Sequence, residues 1–310
     1  MVIPDRAGGG RPLSVVSDCV RLSGFEYGDP SDETVILVHG WPDTLHLWAR
    51  VTPLLAKRFH VVAYDQRGHG QSDVPTHWRG FGFDHLVADL NAVADAVSPD
   101  RPVHIVGHDF GGIYAWDAVC APNAVERIAS FTCIAGTNLD EWGLFGQRTL
   151  RRPTPRRLAG LLGQILSSSY IVTLFIPRFP DLVLTALGTP SRWRRALRLL
   201  SGIRAHDVHL ADSIGADLRR GVAIYRANIS RLIRPRRDRT AVPVLMIHGR
   251  YDIAIRRIPL DGLADRAPKL RWRHISAGHW SPFSHPDQIA YLTAEFIDEH
   301  NTVPEGRNHA

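Results

Sequence analysis

The ten residues VHIVGHDFGG at positions 103–112 constrain this chain most: a short apolar β-type run leads into Gly-x-Asp-x-Gly and then into a helical pattern. A strand that turns at once into a helix around a glycine-flanked polar residue describes a nucleophile elbow, which holds the middle side chain out at the carboxyl edge of a sheet. Gly107 and Gly111 suit the close backbone approach and unusual dihedrals of such a turn. The residue held out is Asp109, at the position where such an elbow usually carries serine. A carboxylate in that position can attack carbon. Glycine and aspartate are also ordinary turn residues, so the reading depends on a base, an orienting acid and an oxyanion site elsewhere in the chain.

Apolar β-type runs alternate with helical patterns on either side of the middle of the chain, which predicts a mostly parallel sheet with helices on both faces. Strands are expected at 35–39, 60–64, 103–106, 127–134, 242–248 and 270–275, and helices at 47–56, 83–97, 113–120, 256–267 and 286–299. The alternation stops at Thr137 and resumes at Val242. The expected organisation is therefore an α/β core made of residues 1–136 and 241–300. A helical cap, or lid, of residues 137–240 is inserted before the last two strands and covers the carboxyl edge of the sheet. A polar, disordered tail is expected at 301–310. At 310 residues, 44% hydrophobic and 22% charged, the chain is long enough for one large α/β domain or two small ones.

The net charge of +6 is unevenly placed: residues 137–239 hold 19 arginines, no lysine and seven acidic residues, a net +12. A basic segment can serve nucleic acid or anionic lipid. Here the arginine pairs are scattered among apolar helical stretches with little aromatic interleaving, so nucleic acid is not expected. A solvated helical surface is the plain expectation, and peripheral membrane contact through the basic cap is the alternative. Residues 158–177 carry no charge, but Gln164, Ser167, Ser168, Ser169 and Tyr170 interrupt them. They are read as a buried or lid helix rather than a span. Cys19, Cys120 and Cys133 show no metal-ligand spacing and are read as reduced core thiols of a cytoplasmic protein. The first residues, MVIPDRAGGGRPL, lack the apolar core of a secretory signal. No metal, nucleotide or other cofactor site is indicated.

In open parallel sheets, ligand groups collect at the carboxyl ends of strands. Asp109 follows the third expected strand, Asp252 follows the 242–248 strand, and His279 follows the last one. Nucleophile, acid and base thus occur in one of the known chain orders of a catalytic triad. Asp140 and Glu141, after the 127–134 strand, are rival acids. His39 and the 65–72 loop are expected to be structural, and Pro42 is a candidate for a cis peptide.

Together HGWP, DQRGHGQS, GHDFGG, GRYD and AGHW resemble the motifs of the α/β-hydrolase fold, in the branch that contains epoxide hydrolases and haloalkane dehalogenases. The chain most closely resembles epoxide hydrolases, particularly the hydrolase half of actinobacterial fusions to a short-chain dehydrogenase. The resemblance implies that Asp109 opens an apolar epoxide to form an alkyl-enzyme ester. His279, oriented by Asp252, then activates the water that attacks the Asp109 carbonyl carbon, while backbone N–H groups of Trp41 and Phe110 hold the oxyanion. It also implies two lid tyrosines that donate to the epoxide oxygen, which Tyr170 in SYIVTLFIP and Tyr225 in IYRAN resemble. The product would be a vicinal diol. A haloalkane or haloacid dehalogenase with the same triad, and a non-catalytic lipid-binding member of the fold, are the competing readings. Oligomeric state and the identity of the epoxide are left open.

Overall fold

The computed structural model describes residues 9–176 and 178–300. Pro177, seven residues beyond Tyr170, lies outside the described residues, as do most of the glycine-rich lead-in and the expected tail at 301–310.

Eight strands form one sheet: β1 (Arg11–Ser17), β2 (Val20–Tyr27), β3 (Thr34–Val38), β4 (His60–Tyr64), β5 (Val103–His108), β6 (Ile128–Ile134), β7 (Val244–Gly249) and β8 (Leu270–Ile275). Their order is β1-β2-β4-β3-β5-β6-β7-β8. β2 pairs antiparallel with both β1 and β4, and every pairing from β4 across to β8 is parallel. β3, β4, β5 and β7 are buried at every position, as continuous apolar runs must be when helices cover both sheet faces. β3 sits between β4 and β5, so the chain leaves it for opposite sides of the sheet. That reversal opens a crevice at the carboxyl ends of β3 and β5.

Several expectations are corrected. The 47–56 helix is a 3₁₀ turn, Leu45–Trp48, followed by a single helical turn, Thr52–Leu55; Pro53 sits in the first turn of the second piece, where proline starts a helix but cannot continue one. The 256–267 helix is likewise split into Ile258–Leu260 and Leu263–Arg266, around Pro259 and Gly262. The β1–β2 hairpin was not anticipated. Its turn residues Asp18 and Cys19 have φ of 47° and 60°, the left-handed pair that a tight hairpin requires. Cys19 is therefore exposed at a turn, Cys120 is partly buried, and Cys133 alone of the three is a fully buried thiol.

Between β6 and β7 the chain forms helices Leu139–Arg151, Pro155–Ser167, Tyr170–Thr173, Phe179–Leu187, Pro190–Ser201, Ile214–Asn228 and Ser230–Ile233. Asn138, Thr154 and Thr189 cap the starts of three of them through side-chain oxygens. The described part of the uncharged segment, residues 158–176, breaks after Ser167 and is largely exposed rather than buried. Among the described residues no helix is long and apolar enough to cross a membrane.

Candidate active site at the carboxyl edge of the sheet

β5 ends at His108, and Asp109 turns the chain into the helix Phe110–Val119 with φ 50° and ψ −122°. That backbone is unusual for a residue with a Cβ. It is held because Gly111 packs on the carbonyls of Val38 and His39 and Gly107 packs on Gly112, with no room at either glycine for a side chain. β3 and β5 are neighbours, so Trp41, three residues past β3, reaches Asp109. The Trp41 N–H donates to Asp109 Oδ1 at 3.0 Å. Phe110 opens the elbow helix, where a first-turn N–H has no acceptor within the helix.

On the other side, His279 Nε2 lies 3.4 Å from Asp109 Oδ2, and His279 Nδ1 lies 3.0 Å from Asp252 Oδ2. The Asp252 carboxylate also accepts from the Ala254 and Ile255 N–H groups at 2.8 and 2.9 Å. Burial opposes its ionisation, but the adjacent His279 and these donors outweigh burial and hold Asp252 below the usual carboxylate range. For His279, burial works against the charge, yet Asp252 and Asp109 prevail and raise the imidazole to about 10.

Asp140 and Glu141 are engaged elsewhere. Asp140 pairs with Arg231 and accepts from the Arg236 N–H at 2.9 Å, and Glu141 pairs with Arg148. His39 is buried and accepts from the Gln66 N–H at 2.9 Å. The Trp41–Pro42 peptide is cis. The 65–72 loop is internally braced: Asp65 accepts from Leu45 and Gln71 N–H groups, and Arg67 pairs with buried Asp89 at 2.5 Å.

Helix Ile214–Asn228 places Tyr225 edge-on against Phe110 and Trp41, with ring centroids 4.7 and 5.4 Å apart. The Tyr225 and Tyr170 hydroxyls meet at 3.1 Å. Tyr170 is 41% exposed as a residue, yet its hydroxyl is enclosed and burial raises it to about 12. Burial also carries Tyr225 well above the ordinary phenol value. Both are neutral donors at physiological pH. Together with Asp109, His279, Trp41 and Trp280 they line a cavity of about 360 Å³ whose other walls are mostly aliphatic. Among the described residues no group of three His, Cys, Asp or Glu side chains is placed to hold a metal.

Three contributors went unread in the sequence. Asp43 is buried, accepts from the Trp280 indole N–H at 3.0 Å and leaves Oδ1 without a partner among the described residues; burial raises it to about 7. His108, kept neutral by burial, donates from Nε2 to the His279 carbonyl at 3.0 Å. Gly221 lets the cap helix lie directly on the Trp41 ring. Asp43 follows HGWP and His108 precedes Asp109, so adjacency to a motif was the available signal.

An elbow carboxylate, an imidazole between it and a second carboxylate, and a main-chain donor just past β3 lie together at a sheet switch point. Residues 33–286 match the model of a family described as alpha/beta hydrolase fold. The chain belongs to that family. Over 287 residues this α/β-hydrolase is 34% identical to "Probable oxidoreductase EphD" of Mycobacterium tuberculosis, covering 91% of this chain and 48% of that protein. The chain thus spans about half the length of that curated relative. It is 41% identical to "Epoxide hydrolase A" of Mycobacterium tuberculosis over 100 residues, which is 32% of this chain and 31% of that one. The crystal structure of Epoxide Hydrolase A from Mycobacterium thermoresistibile superposes with a TM-score of 0.71 at 22% identity, covering 93% of this chain and 98% of that one. At that identity the likeness concerns the fold.

Proposed function

We propose that this α/β-hydrolase is an epoxide hydrolase that adds water to an apolar epoxide and releases a vicinal diol. One observation carries the reading: two neutral phenols meet at 3.1 Å over a cavity shared with Asp109 and His279. A pair of donors converging on one point suits an epoxide oxygen that becomes an alkoxide as its C–O bond breaks.

Asp109 Oδ1 is occupied by the Trp41 N–H, so Oδ2 is the oxygen that attacks the ring carbon. The C–O bond opens, a tyrosine hydroxyl gives its proton to the departing oxygen, and an alkyl ester remains on Asp109. Water then loses a proton to His279 Nε2 and attacks the Asp109 carbonyl carbon. The negative charge develops on Oδ1, between the N–H groups of Trp41 and Phe110. Collapse of the tetrahedral intermediate expels the diol oxygen, which takes the proton from His279. The proton of the regenerated carboxyl restores the phenol through solvent. The chemistry asks for no cofactor, and the free thiols fit a cytoplasmic setting.

A halide leaving group fits the site less well. The Trp41 indole N–H, the one side-chain donor evident beside the elbow in the sequence, is given to the Leu218 carbonyl at 3.1 Å.

The test is a trapping experiment. His279→Gln incubated with a small aryl epoxide is expected to accumulate the mass of the epoxide on the peptide that contains Asp109, and Asp109→Asn to accumulate none. An epoxide that the wild type turns over, but that leaves no adduct on that peptide, would overturn Asp109 as nucleophile.

A further inference from the structure

The cap helix Pro155–Ser167 is amphipathic with its faces reversed. Gly160 packs inward on Ile258, and the Gln164 side chain turns inward, donating to the Ala254 carbonyl at 2.8 Å and accepting from the Arg256 N–H at 2.9 Å. Leu158, Leu162, Ile165 and Leu166 form the opposite stripe, with Leu162 60% and Leu166 73% exposed. An apolar stripe at helical spacing ordinarily faces a core.

The neighbouring segments bury apolar side chains such as Leu184 and Leu197 but also expose others. Val172, Leu182 and Leu199 are 68%, 73% and 78% exposed, and each lies on a helix that also contributes a wall residue to the Asp109 cavity. Phe179, Val183 and Leu200 line the cavity and are themselves exposed, so the cavity opens within this apolar surface. An apolar surface spread over four segments exceeds the scattered exposed residues of an ordinary monomer and marks a contact site.

Charge identifies what the surface contacts. Residues 151–204 contain ten arginines and one acidic residue, Asp181. Among the described residues Arg156 alone of the ten is paired with a carboxylate, that of Asp261. A second copy of the same face would bring like charges together. An anionic lipid surface instead neutralises them and receives the leucines into its interface.

We propose that this face of the cap docks on an anionic lipid bilayer, with the mouth of the Asp109 cavity turned toward it. An apolar substrate dissolved in the bilayer then reaches the cavity without crossing water. That delivery step rests on the epoxide hydrolase reading; docking does not.

Co-sedimentation with vesicles tests docking without any substrate. The protein is expected to pellet with phosphatidylglycerol/phosphatidylcholine vesicles at low salt, and to be released by high salt. Vesicles of phosphatidylcholine alone should bind it about tenfold less. Leu162→Ser/Leu166→Ser and Arg195→Glu/Arg198→Glu should each weaken binding to the mixed vesicles by about tenfold or more. Both should melt as the wild type does, since these side chains are exposed. Absence of binding to the mixed vesicles, or equal binding to both compositions, would overturn the proposal. So would a dimer in light scattering that Leu162→Ser/Leu166→Ser dissociates while vesicle binding is unaffected, because the face would then be an interface between proteins.

Discussion

His279 rests between two carboxylates, and although its burial opposes the charge, they raise it to about 10. A protonated imidazole cannot activate water. In the proposed cycle, ester formation on Asp109 removes one of the two negative charges beside the imidazole, so the pKa of His279 falls when the ester needs a base. Ester hydrolysis should therefore accelerate as pH rises and level off at an apparent pKa below the value of about 10 in the free enzyme. Quenched-flow measurement of ester decay gives the first value, and NMR titration of His279 gives the second. Decay that shows no dependence on pH at any value below about 10 would count against His279 as the base. In the proposed cycle the two phenols act on the other step. Tyr170→Phe and Tyr225→Phe should each slow ester formation by about a hundredfold and leave its hydrolysis within about twofold. Single-turnover kinetics separate the steps, and equal slowing of both would mean the tyrosines are not the acids. At this scale Asp109, Asp252 and His279 were legible because each lies within four residues of the end of a strand. Asp43 and His108 were not, since what distinguishes them is burial, which a lone sequence does not display.

Element boundaries divide along similar lines. β3, β4 and β5 could be read as uninterrupted apolar runs, whereas the amphipathic patterns at 47–56 and 256–267 concealed prolines that restart the helix. The β1–β2 hairpin carries a clear alternation, but its Asp18-Cys19 turn lacks the glycine that usually announces a left-handed pair. Gly221 shows how one element's position controls the site. A glycine inside a helix costs about 1 kcal/mol relative to alanine, yet a Cβ there would overlap the Trp41 ring. Steric exclusion outweighs propensity. Gly221→Ala should lift the helix from Trp41 and displace Tyr225, one turn later. We expect kcat for the epoxide to fall about tenfold or more, measured at saturating substrate. An unchanged kcat would show that the helix can shift without moving Tyr225.

The cap is joined to the core where it leaves and re-enters the sheet. Arg231, near the end of the cap, bridges Asp140 at its beginning and Asp117 on the elbow helix, the latter at 2.7 Å. All three side chains are largely buried. Removing the arginine leaves two carboxylates desolvated against each other, so Arg231→Met should destabilise the protein by about 3 kcal/mol. Urea unfolding measures the loss, and a change under about 0.5 kcal/mol would mean that water or another arginine replaces Arg231. By itself the sequence determined the parallel sheet and the places of Asp109, Asp252 and His279, because strand periodicity and the residue after each strand are local signals. Tertiary structure alone decided that His279 meets Asp252 rather than Asp140 or Glu141, and that two phenols 55 residues apart come within 3.1 Å. It also decided that Leu158, Leu162, Ile165 and Leu166 face outward. An apolar stripe at helical spacing reads the same whether a core or solvent lies beyond it, and only packing tells the two apart.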